Sequence, residues 1–163
     1  MNTPRAGLVM GLLAAGCAGL IGCGGEADPT ARDLSDGGVC DPGEMIVIGT
    51  AGATPIITGD CGPVQVTADR VSGNIESAAS VTITGAHVTV LGKTWGTATI
   101  SSDGTVINVD GIGTLTVEAD SAAVVVNGPI DTLAVRGRGN VVNWNGGAAL
   151  PSDANNTYTR MPG

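Results

Sequence analysis

The sequence predicts an all-β fold, a single-domain β-solenoid with about 17–18 residues per turn, from three observations. The chain has 27 Gly among 163 residues, no Phe and 13% charged residues, whereas typical domains hold about 7% Gly and about 25% charge. Its mean hydropathy is +0.28, which excludes a disordered chain because disordered segments are polar and highly charged. Segments with one alternating pattern recur at nearly constant spacing between residues 63 and 146, as stacked repeats do.

The first element, residues 1–22, has the layout of a lipoprotein signal peptide. Arg5 gives a short positive region and residues 6–22 carry no charge, the order found in secretory signals. The segment ends in Leu20-Ile21-Gly22-Cys23, which resembles the bacterial lipobox. That resemblance implies cleavage before Cys23 and its acylation with palmitate-type chains, and two or more chains hold a protein stably on a bilayer. We therefore expect an extracytoplasmic lipoprotein anchored to the cell membrane, with a plain signal peptide or a retained membrane helix as alternatives.

The second and third elements are a flexible tether, residues 23–39, and a β-repeat domain, residues 40–163. The tether is rich in Gly, Ala, Asp and Glu and shows no apolar periodicity. With Cys23 acylated, Cys40 and Cys61 remain as an even pair, so export predicts a disulfide between them. Such a loop of about 20 residues would stabilise the domain by roughly 3 kcal/mol. Two thiols and one distant His do not form a zinc site, and we expect neither metal nor cofactor.

Within the domain, each repeat predicts two short strands. The first strands begin at intervals of 17, 17, 17 and 18 residues, at Pro63, Ser80, Thr97, Thr114 and Thr132. Each second strand carries two alternate apolar residues, followed two positions later by a Gly that is expected at a corner with positive φ. A third inward position holds Trp95, Ile112 and Ile130. Stacking at about 4.8 Å per rung would bury these positions continuously.

The alternative fold is an antiparallel β-sandwich or meander, because a hairpin also repeats at this length. The same residue types recur at the same phase of every repeat, and that favours parallel stacking over strands that reverse. Residues 40 and 61 would then tie a degenerate first rung, and Trp144, Leu150 and Tyr158 would cover the last one.

The outward positions of the first strands predict a flat face of hydroxyl groups and make a candidate binding surface. In a parallel stack they form two columns, and the array resembles the ice-binding face of antifreeze solenoids. The alternative is that Thr is simply a favourable residue on an exposed strand. The candidate residues are Ser80, Thr82, Thr97, Thr99, Thr114, Thr116 and Thr132.

The sequence gives less support to a calcium site, to enzyme activity and to nucleic-acid binding. Asp103 and Asp120 would stack about 5 Å apart, but calcium needs six to eight oxygen ligands, so solvated turn acids are favoured. The only His is His87, and neither a nucleophile elbow nor a phosphate loop is present; we expect no enzyme activity. A net charge of −8 disfavours nucleic acid, whose backbone binds clustered cations.

Two regions resemble the repeats of an uncharacterised domain found in small secreted actinobacterial lipoproteins. They are Ile56–Val66 and residues 138–157, which contain Arg138-Gly-Asn-Val-Val-Asn-Trp144. The resemblance implies an anchored envelope protein of β-repeat architecture and implies no activity. The sequence thus predicts a non-enzymatic, lipid-anchored interaction module for an envelope protein or glycan. The alternatives are a structural spacer, an ice-binding solenoid and, last, a polysaccharide-active enzyme.

Overall fold

The computed structural model of the protein describes residues 30–162. These residues form an all-β chain without a helix, in which parallel strands stack as a β-solenoid of about eight turns. The predicted parallel stacking is confirmed and the antiparallel alternative is wrong. In the central rungs each residue lies beside the one 17 positions later, as Ser80 does with Thr97 and Thr97 with Thr114. The signal peptide and Cys23 lie outside the described residues. Within residues 30–162 there is no helix that could cross a membrane.

Eleven strands form one sheet that winds around the core. In chain order they are β1 (Arg32–Asp33), β2 (Gly38–Val39), β3 (Ile46–Ile48), β4 (Ile56–Val66), β5 (Ser72–Ile83), β6 (Thr89–Ile100), β7 (Val106–Val117), β8 (Ala123–Val126), β9 (Ile130–Val135), β10 (Val141–Trp144) and β11 (Thr157–Arg160).

The central rungs are single strands of 12 residues rather than pairs of short ones. In β5 the alternation of buried and exposed residues slips at Glu76–Ser77 and again at Ala79–Ser80, where the strand bends without losing its ladder to β6. The predicted second strand of one repeat and the predicted first strand of the next repeat therefore belong to one continuous strand. The bends give each rung three outward-facing segments, and a turn from residue 84 to 88 closes it.

The interior consists of columns of aliphatic side chains, as the repeat predicted. One column runs through Val64, Val81, Ala98 and Leu115, all at most 1% exposed. Burying each Val or Leu side chain of this column contributes about 1.5–3 kcal/mol, so the stack is stabilised mainly by contacts between adjacent rungs. A second column of the same sheet segment contains Val66, Ile83, Ile100 and Val117. A third column lies at the bend and contains Cys61, Ala78, Trp95 and Ile112.

Trp95 fits this narrow interior because Ala78, in the rung below, is small and Gly92 has no side chain. Its ring is fully buried and its Nε1 donates to the Ile75 carbonyl at 3.0 Å. A Cβ on Gly92 would lie 2.6 Å from that nitrogen, so the absence of a side chain at Gly92 makes room for the indole. Gly92, Gly111 and Gly128 do not have positive φ, and only Gly146 of the four predicted corner glycines does.

Part of the predicted tether belongs to the solenoid. Within residues 30–39, Arg32–Asp33 pairs with β3 and Gly38–Val39 pairs with β4, and Leu34 is 7% exposed. Two-residue strands carry no period that a sequence pattern could reveal, and for that reason the expected boundary at residue 40 was too late. The Cys40–Cys61 disulfide is formed and joins this first rung to β4, as predicted.

The C-terminal end is stepped. Among the strands, β9 pairs only with β7, and on its other side Ile130 alone forms a bridge, to Gly147. Strand β8 continues into β10 and β11. Leu133 and Val135 are consequently half-buried, unlike Leu115 and Val117 beneath them. Trp144 is fully buried and is covered by Tyr158, whose ring meets it edge-on at 6.5 Å between centroids. Leu150, the third predicted cap residue, is 55% exposed.

The cap contains a Tyr–Asp pair that should respond to pH. The Tyr158 hydroxyl donates a hydrogen bond to the Asp153 carboxylate. Burial of Tyr158, and then this carboxylate, raise the pKa of Tyr158 to about 12. The same hydrogen bond lowers the pKa of Asp153. The raised pKa of Tyr158 contributes stability that is complete below its ordinary value of 10.0 and is lost as pH rises through about 12. The lowered pKa of Asp153 contributes stability above its ordinary value of 3.8, and this is lost as pH falls.

We expect the phenolate absorbance of the native protein to titrate with a midpoint near 12, against about 10.0 in denaturant. The chain has one Tyr, so the signal reports Tyr158 alone. Asp153→Asn should lower the native midpoint only part of the way, since burial continues to oppose ionisation. A native midpoint equal to the denatured one would show that the cap does not form in solution.

Candidate functional site

The Thr face is defined by Ser80, Thr82, Thr97, Thr99, Thr114, Thr116 and Thr132. Strand register places these residues in two columns: Ser80, Thr97, Thr114 and Thr132 form one, and Thr82, Thr99, Thr116 and Ala134 form the other. The hydroxyls repeat about every 4.8 Å along the axis. Thr97 and Thr132 are exposed, and the remaining five are half-buried between their neighbours. The structure therefore brings all seven predicted residues onto one sheet segment.

The Thr face has no charged residue, although the protein carries a net charge of −8. Its columns continue toward the N-terminus into Pro63 and Gln65, which are also uncharged. Charges begin at its border, where Arg136 Nη1 lies 2.7 Å from Glu118 Oε1. Acidic groups are thus kept off a surface about 14 Å long, measured over three rung spacings.

A second uncharged surface, the apolar face, was missed by the sequence analysis. It comprises the outward residues that precede the first bend of each rung, and it extends over seven rungs, about 29 Å. One of its two columns contains Ser72, Thr89, Val106, Ala123, Val141 and Thr157. The other contains Ile56, Asn74, Leu91, Asn108, Val125, Asn143 and Thr159.

The apolar face holds four of the six large hydrophobic residues that are exposed within residues 30–162. Ile56 is 68% exposed, Leu91 48%, Val106 43% and Val141 38%. The sequence does contain a signal for them, because Val124-Val125-Val126 and Val141-Val142 place apolar residues at consecutive positions. In a strand, consecutive positions point to opposite faces, so such runs indicate a sheet that is apolar outside as well as inside.

One border of the apolar face carries a charge pair. Lys93 Nζ lies 2.6 Å from Glu76 Oε1, and the hydrogen bond from Lys93 lowers the pKa of Glu76 while raising that of Lys93. Both groups are solvated, so the pair contributes little to stability. Its position marks the bend where the apolar face ends.

The turn acids act as backbone caps between rungs. Asp69 Oδ1 accepts the Ala86 N–H at 2.8 Å, Asp103 Oδ1 accepts the Asp120 N–H at 2.8 Å, and Asp120 Oδ1 accepts the Arg138 N–H at 2.7 Å. Each carboxylate thus satisfies a donor of the next rung, which gives these residues a structural role. Within residues 30–162, no group of three His, Cys, Asp or Glu residues is placed to hold a metal ion.

This column is interrupted at Ala86, which offers no side-chain oxygen to the Asp103 N–H. We expect Ala86→Asn to supply that acceptor and to raise the free energy of unfolding by about 0.5–1 kcal/mol, the net value of a hydrogen bond. Asn is preferred to Asp because it adds no charge beside Asp69 and Asp103. Urea denaturation of the variant measures the effect, and the matched substitution Ala123→Asn, on the apolar face, should give no gain. A variant less stable than the parent would contradict the capping role.

His87 lies in the turn rather than on a strand and is exposed. Arg70, His87 and Ser121 occupy equivalent turn positions with φ of 56°, 56° and 58°, and Gly104 and Gly139 occupy the same position in other rungs. Left-handed backbone at this position closes every central rung, and non-Gly residues accept it at a cost of order 1–3 kcal/mol. His87 therefore sits at a structural corner, and the described acids are spread along the turns and borders.

Comparisons with family models, with curated proteins and with solved structures found no match for this chain.

Proposed function

We propose that the protein is a lipid-anchored module of the cell envelope that binds a neutral glycan through the Thr face. The observation that carries the proposal is the uncharged, two-column array of hydroxyl and methyl groups on an otherwise acidic protein. A surface of identical groups at a regular spacing suits a partner that also repeats, and a neutral polysaccharide offers repeating hydroxyls that donate and accept hydrogen bonds.

The anchor is supported by the lipobox-like sequence that ends at Cys23 and by the disulfide. Disulfides persist in oxidising compartments and are rare in the cytosol, so the Cys40–Cys61 bond agrees with export. After export, the tether before Arg32 would hold the first rung near the membrane. About eight turns at roughly 4.8 Å each would give the solenoid a length of about 38 Å.

The anchor is tested by labelling cells with an alkynyl fatty acid. The parent chain should take up label and remain in the membrane fraction, while Cys23→Ala should lose the label. Cys17→Ala is the matched control and should behave as the parent does. Label that persists in Cys23→Ala would contradict the assignment of Cys23.

Glycan binding is tested by sedimenting the full chain, in detergent, with particles of insoluble envelope polysaccharide. Thr97→Lys/Thr132→Lys changes two exposed residues of the Thr face and should weaken binding at least tenfold, because the two long side chains hold the polysaccharide away from the neighbouring hydroxyls and their ammonium groups lose water on contact. Asn74→Lys/Asn108→Lys adds the same charge to exposed residues of the apolar face and should bind as the parent does. If the parent does not bind, or if both double variants lose binding equally, the proposal fails and a spacer role remains.

The grid of Thr residues also favours a second candidate, ice binding, since hydroxyls and methyls in register can order water. Thermal hysteresis of the same proteins in solution tests it. Hysteresis in the parent that disappears in Thr97→Lys/Thr132→Lys would favour ice over glycan. Its absence in the parent would remove this candidate.

A further inference from the structure

We infer that the apolar face is a dimer interface that packs against the apolar face of a second copy of this chain. Its starting observation is the exposure of Ile56, Leu91, Val106 and Val141 on one uncharged sheet segment. Exposed apolar residues that are grouped on one uncharged surface favour an interaction site there. The inference concerns a different surface from the Thr face and does not depend on what that face binds.

The order of residues along this face identifies the partner. One column alternates between apolar residues and Asn, rung by rung: Ile56, Asn74, Leu91, Asn108, Val125 and Asn143. A closed symmetric dimer requires self-complementary contacts. A twofold axis through Asn108 meets this requirement and sets the two solenoids antiparallel. It then places Leu91 of one copy opposite Val125 of the other, and Asn74 opposite Asn143. Across the five central rungs of this column, apolar groups thus meet apolar groups, and each amide meets an amide that can both donate and accept. At the ends of the column Ile56 lies opposite Thr159, and in the other column Val106 meets its own copy while Val141 lies opposite Ser72.

Charge placement agrees with a face that meets its own copy. Two molecules of net charge −8 repel each other, and a charged face would add direct repulsion at short distance. The apolar face has no ionisable residue in either column. At its border Lys93 pairs with Glu76 at 2.6 Å, and Asp110, beside Lys93 in the next rung, adds one negative charge. The remaining repulsion is long-range and is screened by salt, so association should strengthen as ionic strength rises.

The size of the face indicates a weak, reversible dimer. A strip about 29 Å long and roughly 10 Å wide offers on the order of 300 Å² per copy, compared with about 800 Å² in a standard interface. A covalent trap is therefore a better measurement than purification of a stable dimer. Packed sheets lie about 10 Å apart, a distance that a short bis-maleimide cross-linker spans.

The test uses the full chain in membranes, with single Cys substitutions. Asn108→Cys lies on the proposed axis, and Thr97→Cys, also at an exposed position but on the Thr face, is the matched control. The parent chain measures the cross-linking that its own thiols give. We expect Asn108→Cys to form a product of twice the chain mass at five times the yield of Thr97→Cys or more. The yield should increase with added salt.

Adding Leu91→Lys or Asn74→Lys to Asn108→Cys should reduce the yield at least fivefold. Both sites are exposed, so the solenoid should fold, and its circular dichroism and melting curve confirm that. A yield no higher than that of Thr97→Cys, or one that neither lysine reduces, would overturn the inference. A cross-linked product whose mass differs from twice the chain would also overturn it, because another protein would then occupy the face.

Discussion

Replacing Gly85 by Ala is expected to destabilise the protein by about 3 kcal/mol or more, at the upper end of overpacking effects. A Cβ on Gly85 would lie 1.9 Å from the Ala68 carbonyl oxygen and 2.4 Å from its carbon. Both atoms are backbone of the adjacent rung, so no side chain can rotate away. The two rungs must separate at this turn, which breaks the hydrogen bond from the Gly85 N–H to the Val66 carbonyl.

Gly111→Ala is the matched control. Its Cβ would meet nothing within 4 Å, and its φ is not positive, so we expect a change within about 0.5 kcal/mol. Urea denaturation followed by circular dichroism measures both variants. If Gly85→Ala were as stable as Gly111→Ala, the rungs would not be in close contact at this turn.

The contrast between these glycines shows what the sequence could and could not predict. Spacing of 17 or 18 residues identified the repeat, and alternation identified the inward columns, because both follow from periods that the sequence contains. The role of each Gly depends on its distance to the rung below, which no period encodes. Gly92 was expected at a left-handed corner, whereas it lies in a strand and makes room for Trp95.

The two uncharged faces differ in the same way. The Thr face was predictable because Thr-x-Thr recurs at the phase of the first strands, and strand register brings its seven residues together. The apolar face escaped prediction because its column mixes Ile, Asn, Leu and Val, which share no residue type. Consecutive apolar residues indicate that some of them face outward, and the register, which aligns Asn74, Leu91 and Asn108, shows that they form one surface.

A charged side chain placed in the interior is expected to cause the largest loss of stability. Ile100→Lys should lower the free energy of unfolding by several kcal/mol, a large part of the roughly 5–15 kcal/mol that stabilises a typical domain. Ile100 is fully buried, with Ile83 and Val117 as its column neighbours in the adjacent rungs. A buried ammonium group there finds no partner and must either lose its proton or open the stack.

Val135→Lys is the informative comparison, because Val135 belongs to the same column, one rung above Val117. It is half-buried at the stepped end, where a lysine stem can pack along the core while its amine reaches water. We expect a loss of about 1 kcal/mol there, within the usual range for single substitutions. Equal, severe losses at Ile100 and Val135 would mean that the column continues past β9 and that the end of the solenoid is closed. A mild loss at Ile100 would mean that the central rungs are not stacked around a shared interior.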